Sequence, residues 1–353
     1  MFLIYIIFFF LILRFTVTVF NFISNPKLTH SGKQHQDAVS VLIPVKNDES
    51  IINLIESIRG QNYKNYEVLI STTEATLKTC EALCKDDQRF KCVNIPELKS
   101  GWTEKNLVCA QLGNAATGKY LIFLDACTIV SNDLINNAVQ RMKIQHLTLL
   151  SLFTNQLMLT IGEHCVVPLV NFLVLNLIPL RLVRLFKSPI FSITNSQFMM
   201  FDAKDYAEHE WHRLVKKKEV GDSEIMKLVK GRGFKAETLL ANGFIYSRMY
   251  RGFTNSAHGF SNSIISNFGN SVTGMSIYIF FVILGPVAIA MYMSNELLLF
   301  AIGLIVLSRM MISLSSGQNP WLNILLHPLQ MLSLIWVAIL SVQKHFTKTK
   351  SHK

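Results

Sequence analysis

The sequence has few charged residues: Asp, Glu, Lys and Arg make up 16% of its 353 residues, whereas apolar residues make up 50%. It also lacks internal repeats and low-complexity linkers. The scarcity of charge excludes an ordinary soluble globular protein and indicates a membrane protein.

The first apolar block, residues 2–23, lacks the features of a cleaved signal peptide. No basic residue precedes it, no A-x-A-like site follows it, and Arg14 is its only charged residue. A cleaved signal peptide has a basic start and a small-residue cleavage site. We therefore expect residues 1–24 to form a retained N-terminal membrane anchor.

The positive charge lacks the aromatic and basic groove pattern of nucleic-acid-binding proteins. The formal net charge is +11, and basic residues crowd around the apolar blocks. This distribution excludes nucleic acid as a partner and indicates attraction to anionic lipid headgroups. The six cysteines lack the spacing of a zinc site, so we interpret them as reduced cytosolic thiols.

A more polar region lies between the anchor and the C-terminal blocks, and its first half alternates strand and helix signals. The alternation predicts an α/β fold with a parallel sheet and helices on both faces. In such sheets ligands bind beyond the carboxyl ends of the strands. The predicted strands are 39–44, 66–71, 120–124 and 147–153, and the predicted helices are 51–58, 107–116 and 132–142, the last capped by Asn132.

Residues 161–188 are apolar enough to suggest a membrane crossing. Pro168 and Pro179 interrupt this segment, and three basic residues close it. A crossing would also place the two polar halves of the chain on opposite sides of the membrane. We therefore predict an amphipathic helix lying in the membrane interface, with its basic end among the headgroups.

Three further apolar blocks, 271–295, 297–317 and 320–342, follow near the C-terminus. The first is uncharged and long enough to span a bilayer. The other two contain Arg309 and His327, which we expect near an interface or paired with each other.

Five segments stand in a specific order along the chain: IPVKNDES, GWTEKN, YLIFLDAC, VGDSE, and RMYRGF followed by GFS. In this order they resemble the family 2 glycosyltransferases, most closely the membrane-anchored branch that includes carotenoid- and hopanoid-associated enzymes. The resemblance implies a GT-A-like, Rossmann-like domain that binds a nucleotide-sugar donor. It also implies inverting transfer to a lipid or membrane-associated acceptor, with one carboxylate as base and a divalent cation, Mg or Mn, as cofactor.

The resemblance implies a donor pocket built from several segments. The turn after the first strand could instead be an ordinary strand-to-helix turn capped by Asp48, and the segment around Lys105 could be a solvated helix start with Glu104 in its first turn. The implied donor-binding residues are Pro44, Lys46, Asn47, Asp48, Thr72, Thr73, Trp102, Lys105 and Asp125.

Asp125 is also the implied metal ligand, because Asp125-Ala126-Cys127 occupies the place of the family's D-x-D motif. That motif holds a divalent cation that bridges the donor phosphates. Magnesium and manganese prefer oxygen ligands, so Cys127 is a poor substitute for the second aspartate. Thr72 and Thr73 likewise stand where the family has a pair of aspartates.

Asp222 matches the family's catalytic base, which accepts the proton of the attacking hydroxyl. The residue before it, usually acidic in the family, is Gly221 here. Asp222 also precedes an amphipathic run, so it could act as a helix N-cap, with or without a catalytic role.

Four further residues match segments on the acceptor or sugar side. Asn195 and Gln197 carry amides that suit sugar hydroxyls, with a purely structural role as the alternative. Arg248 and Arg251 could hold a phosphate, with lipid-headgroup contact as the alternative. Asn262 stands where the family has a lysine.

The resulting prediction is a multi-pass protein of the plasma or inner membrane with a cytoplasmic catalytic domain. Its basic tail should also face the cytosol. Three full C-terminal crossings would leave that tail outside, so we expect an incomplete crossing over 297–317. A catalytically dead scaffold remains the alternative, whereas a transporter is disfavoured by the few membrane blocks. The predicted regions are 1–24 (anchor), 25–160 (donor half), 161–188 (interfacial helix), 189–270 (acceptor half), 271–343 (transmembrane helices) and 344–353 (basic tail).

Overall fold

A computed structural model divides the chain into two compact units. The sheet unit comprises Pro26–Asn155 and Arg181–Ser247, and the helical unit comprises Met1–Asn25, Gln156–Leu180 and Arg248–Lys353. The structure describes residues 2–45, 51–72, 77, 80–82, 84–85, 87–94, 98, 100–269 and 271–351.

The sheet unit is built on a seven-stranded sheet. Its strands are β1 (Val39–Ile43), β2 (Tyr66–Thr72), β3 (Phe90–Asn94), β4 (Tyr120–Leu124), β6 (Leu149–Phe153), β8 (Phe198–Asp202) and β9 (Ala236–Leu240), in the order β3-β2-β1-β4-β8-β6-β9. A three-stranded sheet has the order β5-β10-β7, with β5 at Thr128–Val130, β7 at Asn155–Gln156 and β10 at Ile245–Ser247.

The strands of the large sheet are parallel except β8, which runs antiparallel to both of its neighbours, β4 and β6. The four predicted strands β1, β2, β4 and β6 are mutually parallel, as expected, whereas the antiparallel β8 was not among the predicted strands. Burial of alternate apolar residues requires a strand but does not fix its direction, which depends on where the preceding loop delivers the chain.

Helices cover both faces of the large sheet, as predicted. Side chains alternate along β1, so Val41 and Ile43 join one apolar core while Leu42 joins the other. Burying each such side chain stabilises the fold by about 1.5–3 kcal/mol. The helices are α2 (Ile51–Arg59) and α4 (Leu134–Gln145) on the first core, and α3 (Glu104–Ala115), α8 (Ala203–His209), α9 (Trp211–Leu214) and α10 (Gly221–Gly231) on the second.

The helical unit contains α1 (Phe2–Ser24), α12 (Val272–Tyr292), α13 (Asn295–Ser316) and α15 (His327–Ser351). These four helices are long and apolar enough to cross a membrane. Side chains of α1, α12 and α13 share one apolar cluster that includes Ile7, Ile289 and Leu304. The shorter helices α11 (Gly252–Ser261) and α14 (Pro320–Leu325) complete this part, together with a 3₁₀ turn at Ile265–Phe268. Helix α13 is continuous over 22 residues and long and apolar enough for a full crossing, and the expected incomplete crossing over 297–317 stays a prediction.

The segment predicted as one interfacial helix consists instead of three helices, α5 (Ile161–Val166), α6 (Pro168–Leu177) and α7 (Leu180–Leu185), followed by a 3₁₀ turn at Pro189–Phe191. Proline cannot donate a backbone hydrogen bond and disfavours helical geometry in the preceding residue. Pro168 accordingly starts α6, although Val167 before it keeps helical geometry, and Ile178, just before Pro179, is extended. The prediction of a single helix was therefore wrong.

The basic end of that segment does not lie free for headgroups. Arg184 and Arg181 approach Glu237 to 3.2 and 4.0 Å, and Arg141 makes a bidentate pair with it at 2.6 Å. Glu237 lies in β9 and is fully buried, so its charge requires such partners. The two arginines are thus committed to the sheet unit.

Candidate active site

The strand ends predicted to line a ligand site lie side by side. β1 pairs in parallel with both β2 and β4, so Pro44, Thr72 and Asp125 come to one edge of the sheet. Strand order reverses at β1, which is where ligands bind in sheets of this kind. The Thr72 hydroxyl is buried and has no hydrogen-bond partner among the described residues. The other predicted residues of this edge, Lys46, Asn47, Asp48 and Thr73, lie outside the described residues.

Asp125 is held in a tight turn directly after β4. The backbone N–H of Cys127 donates to Asp125 Oδ1 at 3.2 Å, and Thr128 donates to the Asp125 carbonyl from both its N–H and its hydroxyl, at 3.1 and 2.7 Å. The carboxylate is half-buried. The turn therefore fixes the orientation of one acidic group at the sheet edge.

Asp222 lies in the first turn of α10, where the partial positive charge of the helix N-terminus favours a carboxylate. The N-cap is Val220, so the alternative interpretation of Asp222 as the N-cap was wrong. The carboxylate accepts a hydrogen bond from Lys105 Nζ at 2.7 Å. Asp222 is 9% exposed, whereas the Lys105 side chain is 42% exposed.

The ion pair sets the protonation of both partners. Burial alone would raise the pKa of Asp222, but the charge and hydrogen bond of Lys105 outweigh it and hold that pKa below its ordinary value. Burial alone would lower the pKa of Lys105, but Asp222 and, more weakly, Asp125 raise it. Asp125 thus contributes to the electrostatic field at Lys105.

Gly221 is required by the close approach of Asn106. A Cβ at position 221 would lie 2.6 Å from Asn106 Oδ1. The Asn106 amide donates to the carbonyls of Val215 and Lys218, at 2.8 and 2.9 Å, and so anchors the loop before α10. The departure from the family's acidic residue at 221 therefore has a packing reason in this chain.

A buried group beside Asp222 has no counterpart among the sequence predictions. His212 is 2% exposed, and its Nδ1 lies 2.8 Å from the Tyr206 hydroxyl. Burial lowers the pKa of His212 to about 4, although Asp222 opposes this shift. The imidazole is therefore neutral at pH 7. No motif surrounds His212 in the sequence, so only its position in the fold identifies it.

Trp102 lines a cavity of about 310 Å³ with Leu107, Tyr206 and Arg213. Neither Asp125 nor Asp222 is among the described residues that line this cavity.

Glu104 is the first residue of α3 and Thr103 is its N-cap, as predicted by the alternative that this segment is a helix start.

Gln197 belongs to a buried polar network. It accepts from the Thr154 hydroxyl at 2.5 Å and donates to Ser247 at 2.8 Å, and its amide lies 3.7 Å from the Cys127 sulfur. Asn195 donates to the same amide oxygen at 3.2 Å. Gln197 is 2% exposed, so these contacts favour the structural alternative for its amide.

Arg248 and Arg251 lie in the helical unit. Arg248 donates to Glu163 Oε1 at 2.9 Å, and the same carboxylate accepts from the backbone N–H groups of Gly252 and Leu159. Glu163 is fully buried. This carboxylate thus neutralises Arg248, while Arg251 is exposed.

The fit of a divalent cation depends on Asp125. No cluster of three His, Cys, Asp or Glu side chains occurs among the residues that the structure describes. Magnesium needs only one or two protein carboxylates when substrate phosphates supply further ligands. The oriented carboxylate of Asp125 meets that minimum, whereas the Cys127 thiol adds no suitable oxygen.

Residues 40–156, about one third of the chain, match the family described as glycosyl transferase family 2. A comparison with curated proteins finds no match. Among solved structures, the chain is similar to mannosyltransferase PcManGT from Pyrobaculum calidifontis in complex with GDP-Man and Mn²⁺, at 14% identity and a TM-score of 0.58 over 96% of this chain and 99% of that chain. It is also similar to S. aureus TarS 1–349 in complex with UDP-GlcNAc, at 14% identity and a TM-score of 0.41 over 88% of this chain and 92% of that chain.

The similarity to PcManGT confirms the GT-A-like fold, and the family match over residues 40–156 supports a glycosyltransferase enzyme. The resemblance to family 2 is confirmed over the matched residues. The narrower resemblance to the carotenoid- and hopanoid-associated branch stays a prediction.

Proposed function

We propose that this protein moves a sugar from a nucleotide-sugar donor to a lipid-type acceptor, with inversion at the anomeric carbon and Asp222 as the base. The observation that carries the proposal is the buried Asp222 carboxylate, kept ionised by Lys105, which also senses the charge of Asp125 at the sheet edge. An ionised carboxylate beside a strand-end ligand site is the arrangement that inverting transfer needs.

In the proposed step, Asp222 accepts the proton of the acceptor hydroxyl while that oxygen bonds to the anomeric carbon. The bond from this carbon to the donor phosphate breaks at the same time, and the nucleoside diphosphate leaves with the electron pair. A single displacement inverts the carbon, so one carboxylate on the acceptor side suffices.

Lys105 has two positions in this scheme. Before the donor binds, its ammonium holds Asp222 ionised. When the donor binds, we propose that the exposed and flexible lysine turns toward the diphosphate and releases Asp222 for proton transfer. The pairing of a base with a lysine is thus a resting arrangement of the site.

Asp125 would hold a divalent cation together with the donor phosphates. Such a cation, when bound, relieves negative charge on the leaving diphosphate. Asp125 itself contributes an oriented carboxylate oxygen, which its turn presents at the end of β4. Thr72 would present its buried hydroxyl to the nucleoside at the neighbouring strand.

The membrane helices support a lipid or membrane-associated acceptor, and we propose a cytoplasmic catalytic domain in the plasma or inner membrane. This topology must place the basic tail in the cytosol. The contacts of α15 within the helical unit indicate how the tail can lie in the cytosol. Lys344 donates to the His258 carbonyl, to Ser261 and to Asn262 at 2.7–2.9 Å, at the end of α11.

The other end of α15 contacts α5. Gln330 donates to the His164 carbonyl at 2.8 Å, and the neighbouring Glu163 binds the first N–H of α11. Helix α15 therefore follows the pair α5–α11. Since α11 has ten residues, about 15 Å, it is too short to cross a bilayer. We propose that α15 follows the membrane surface, so that α1, α12 and α13 cross and the tail returns to the cytosol.

Direct binding of nucleotide sugars to the detergent-purified chain tests the proposal. GDP-mannose comes first because PcManGT was solved with it, and UDP- and dTDP-sugars follow, each with and without Mn²⁺. We expect saturable binding of one donor, weakened by Asp125→Ala. Asp222→Asn should abolish transfer and leave donor binding intact.

Absence of binding to every donor by well-folded protein would favour the scaffold alternative. The replacements at Thr72, Glu104 and Cys127 would then mark the lost donor site. Unchanged turnover of Asp222→Asn would remove Asp222 from its catalytic role while leaving the donor site in place.

A further inference from the structure

Two arginines are buried together in the helical unit. Arg14 of α1 is 9% exposed and Arg309 of α13 is 2% exposed. Both guanidinium groups lie over the ring of Phe172, at 5.2 and 4.7 Å from its centroid. The two positive charges are therefore less than 10 Å apart in an apolar environment, where like charges repel strongly.

The helical unit has almost no acidic residues with which to neutralise them. It contains eight Lys and Arg residues but only two acids, Glu163 and Glu296. Glu163 pairs with Arg248, and Glu296 lies in the exposed first turn of α13. A buried cation without a counter-ion is costly, so an anion from outside the chain is the remaining partner.

Unused hydrogen-bond donors accompany the charge. Among the described residues, Arg14 Nε and Arg309 Nε are buried without a hydrogen-bond partner, and so is His327 Nδ1. The Arg309 guanidinium does bond to the Gln330 side chain, which fixes it in place. Buried donors of this kind are normally satisfied, so they indicate a missing acceptor group.

A cavity between α1, α6, α12, α13 and the start of α15 opens onto Arg14 and His327, whereas Arg309 follows its lining residue Ser308 in α13 and does not line it. Arg14, Asn176, Ser308 and His327 form its polar part, and Ile7, Phe281 and Ile305 belong to its apolar wall. The same helices α1, α12 and α13 are apolar enough to cross a membrane. The cavity therefore combines cationic donors with a surface suited to hydrocarbon.

We propose that this cavity binds an anionic membrane lipid through its phosphate headgroup, with Arg14 as its direct ligand and the charge of the adjacent Arg309 adding to the attraction. Guanidinium groups form strong, directional hydrogen bonds with phosphate oxygens, and the apolar wall accommodates the acyl or prenyl chain. Lipid binding at this cavity does not depend on the proposed sugar transfer, and it is not evidence for that transfer.

The test uses the full chain in phosphatidylcholine nanodiscs with or without phosphatidic acid. Wild-type protein should retain phosphatidic acid in native mass spectrometry and unfold at a higher temperature when it is present. Inorganic phosphate at the same concentration should give no such shift. Equal binding of both lipids, or equal stabilisation by inorganic phosphate, would overturn the proposal without any variant.

Arg309→Met and Arg14→Met sharpen the test, since methionine keeps apolar volume over Phe172. Each should weaken phosphatidic acid binding about tenfold, the effect of losing one charged hydrogen bond.

In pure phosphatidylcholine each variant should unfold at the same or a higher temperature than wild type, because one of the two repelling charges is gone. Lys350→Gln, which removes one charge from the tail, is the matched control. If the variants lose stability equally in both lipids, the arginines are structural and the proposal fails.

Discussion

At the scale of single residues, the site is governed by one ion pair. Asp222 can act as a base only while it is ionised, and Lys105 keeps it so despite burial. The pair joins Lys105 of α3 to Asp222 of α10, and these two residues are 117 positions apart in the sequence. The sequence motifs named both residues, but their direct contact came from the fold.

Lys105→Met should shift the acid limb of the pH–rate profile. Without the lysine, burial dominates and raises the pKa of Asp222 above its ordinary value, so activity is lost at a higher pH. The measurement is the pH dependence of kcat for transfer. Lys227→Met removes a lysine that pairs with Glu224 in α10 and should leave the limb in place. An unmoved limb in Lys105→Met would show that Lys105 does not control Asp222.

Cys127→Asp should strengthen the manganese dependence of donor binding, because it adds a second carboxylate two residues after Asp125. We expect about tenfold tighter binding in Mn²⁺, equivalent to about 1.4 kcal/mol. Titration of the donor with and without Mn²⁺ measures it. Cys127→Ser, which removes the thiol without adding charge, is the control. An identical metal response in both variants would place residue 127 away from the cation.

At the scale of elements, Glu163 connects α5 to α11. It is fully buried and accepts from Arg248, Gly252 and Leu159. Although burial would raise its pKa, these hydrogen bonds lower the pKa of Glu163 to about 2. The carboxylate therefore stabilises the native state fully above its ordinary pKa of 4.5, and this stabilisation is lost as the pH falls toward 2.

Glu163→Gln should destabilise the helical unit by about 3 kcal/mol at pH 7, because Arg248 loses its buried counter-charge. The unfolding temperature of the purified protein measures this, and its difference from wild type should shrink as the pH falls below 4.5. Glu296→Gln changes the other acid of the unit, which is exposed, and should have no effect. Equal unfolding temperatures for wild type and Glu163→Gln would contradict the role of this carboxylate.

At the scale of the whole molecule, the number of membrane crossings decides where the tail lies. If α15 follows the surface, a tag after residue 353 should be protected from protease added outside intact cells, as a cytosolic segment would be. Exposure of the tag to external protease would mean that α15 crosses. A tag before residue 1 should show the opposite accessibility, since α1 is the first crossing.

Local sequence patterns were enough to predict the helices and strands that are buried on one face or on all faces. Apolar runs predicted β1, β2, β4 and β6, and helical spacing predicted α2, because these patterns depend on neighbours within a few positions. Motif order likewise indicated a glycosyltransferase domain, which the family match supports over residues 40–156, whereas the roles of Asp125 and Asp222 stay predictions. Pro168 and Pro179 were also visible in the sequence, and each marks a break between consecutive helices.

Only the tertiary structure decided the direction of β8, the contact of Lys105 with Asp222, and the position of His212 beside that pair. It alone brought Arg14 and Arg309 to one Phe172 ring. Each of these facts joins residues that lie far apart along the chain, and local patterns carry no information about which distant side chains meet. Pairing of buried charges depends on their distance in space, and only the fold gives that distance.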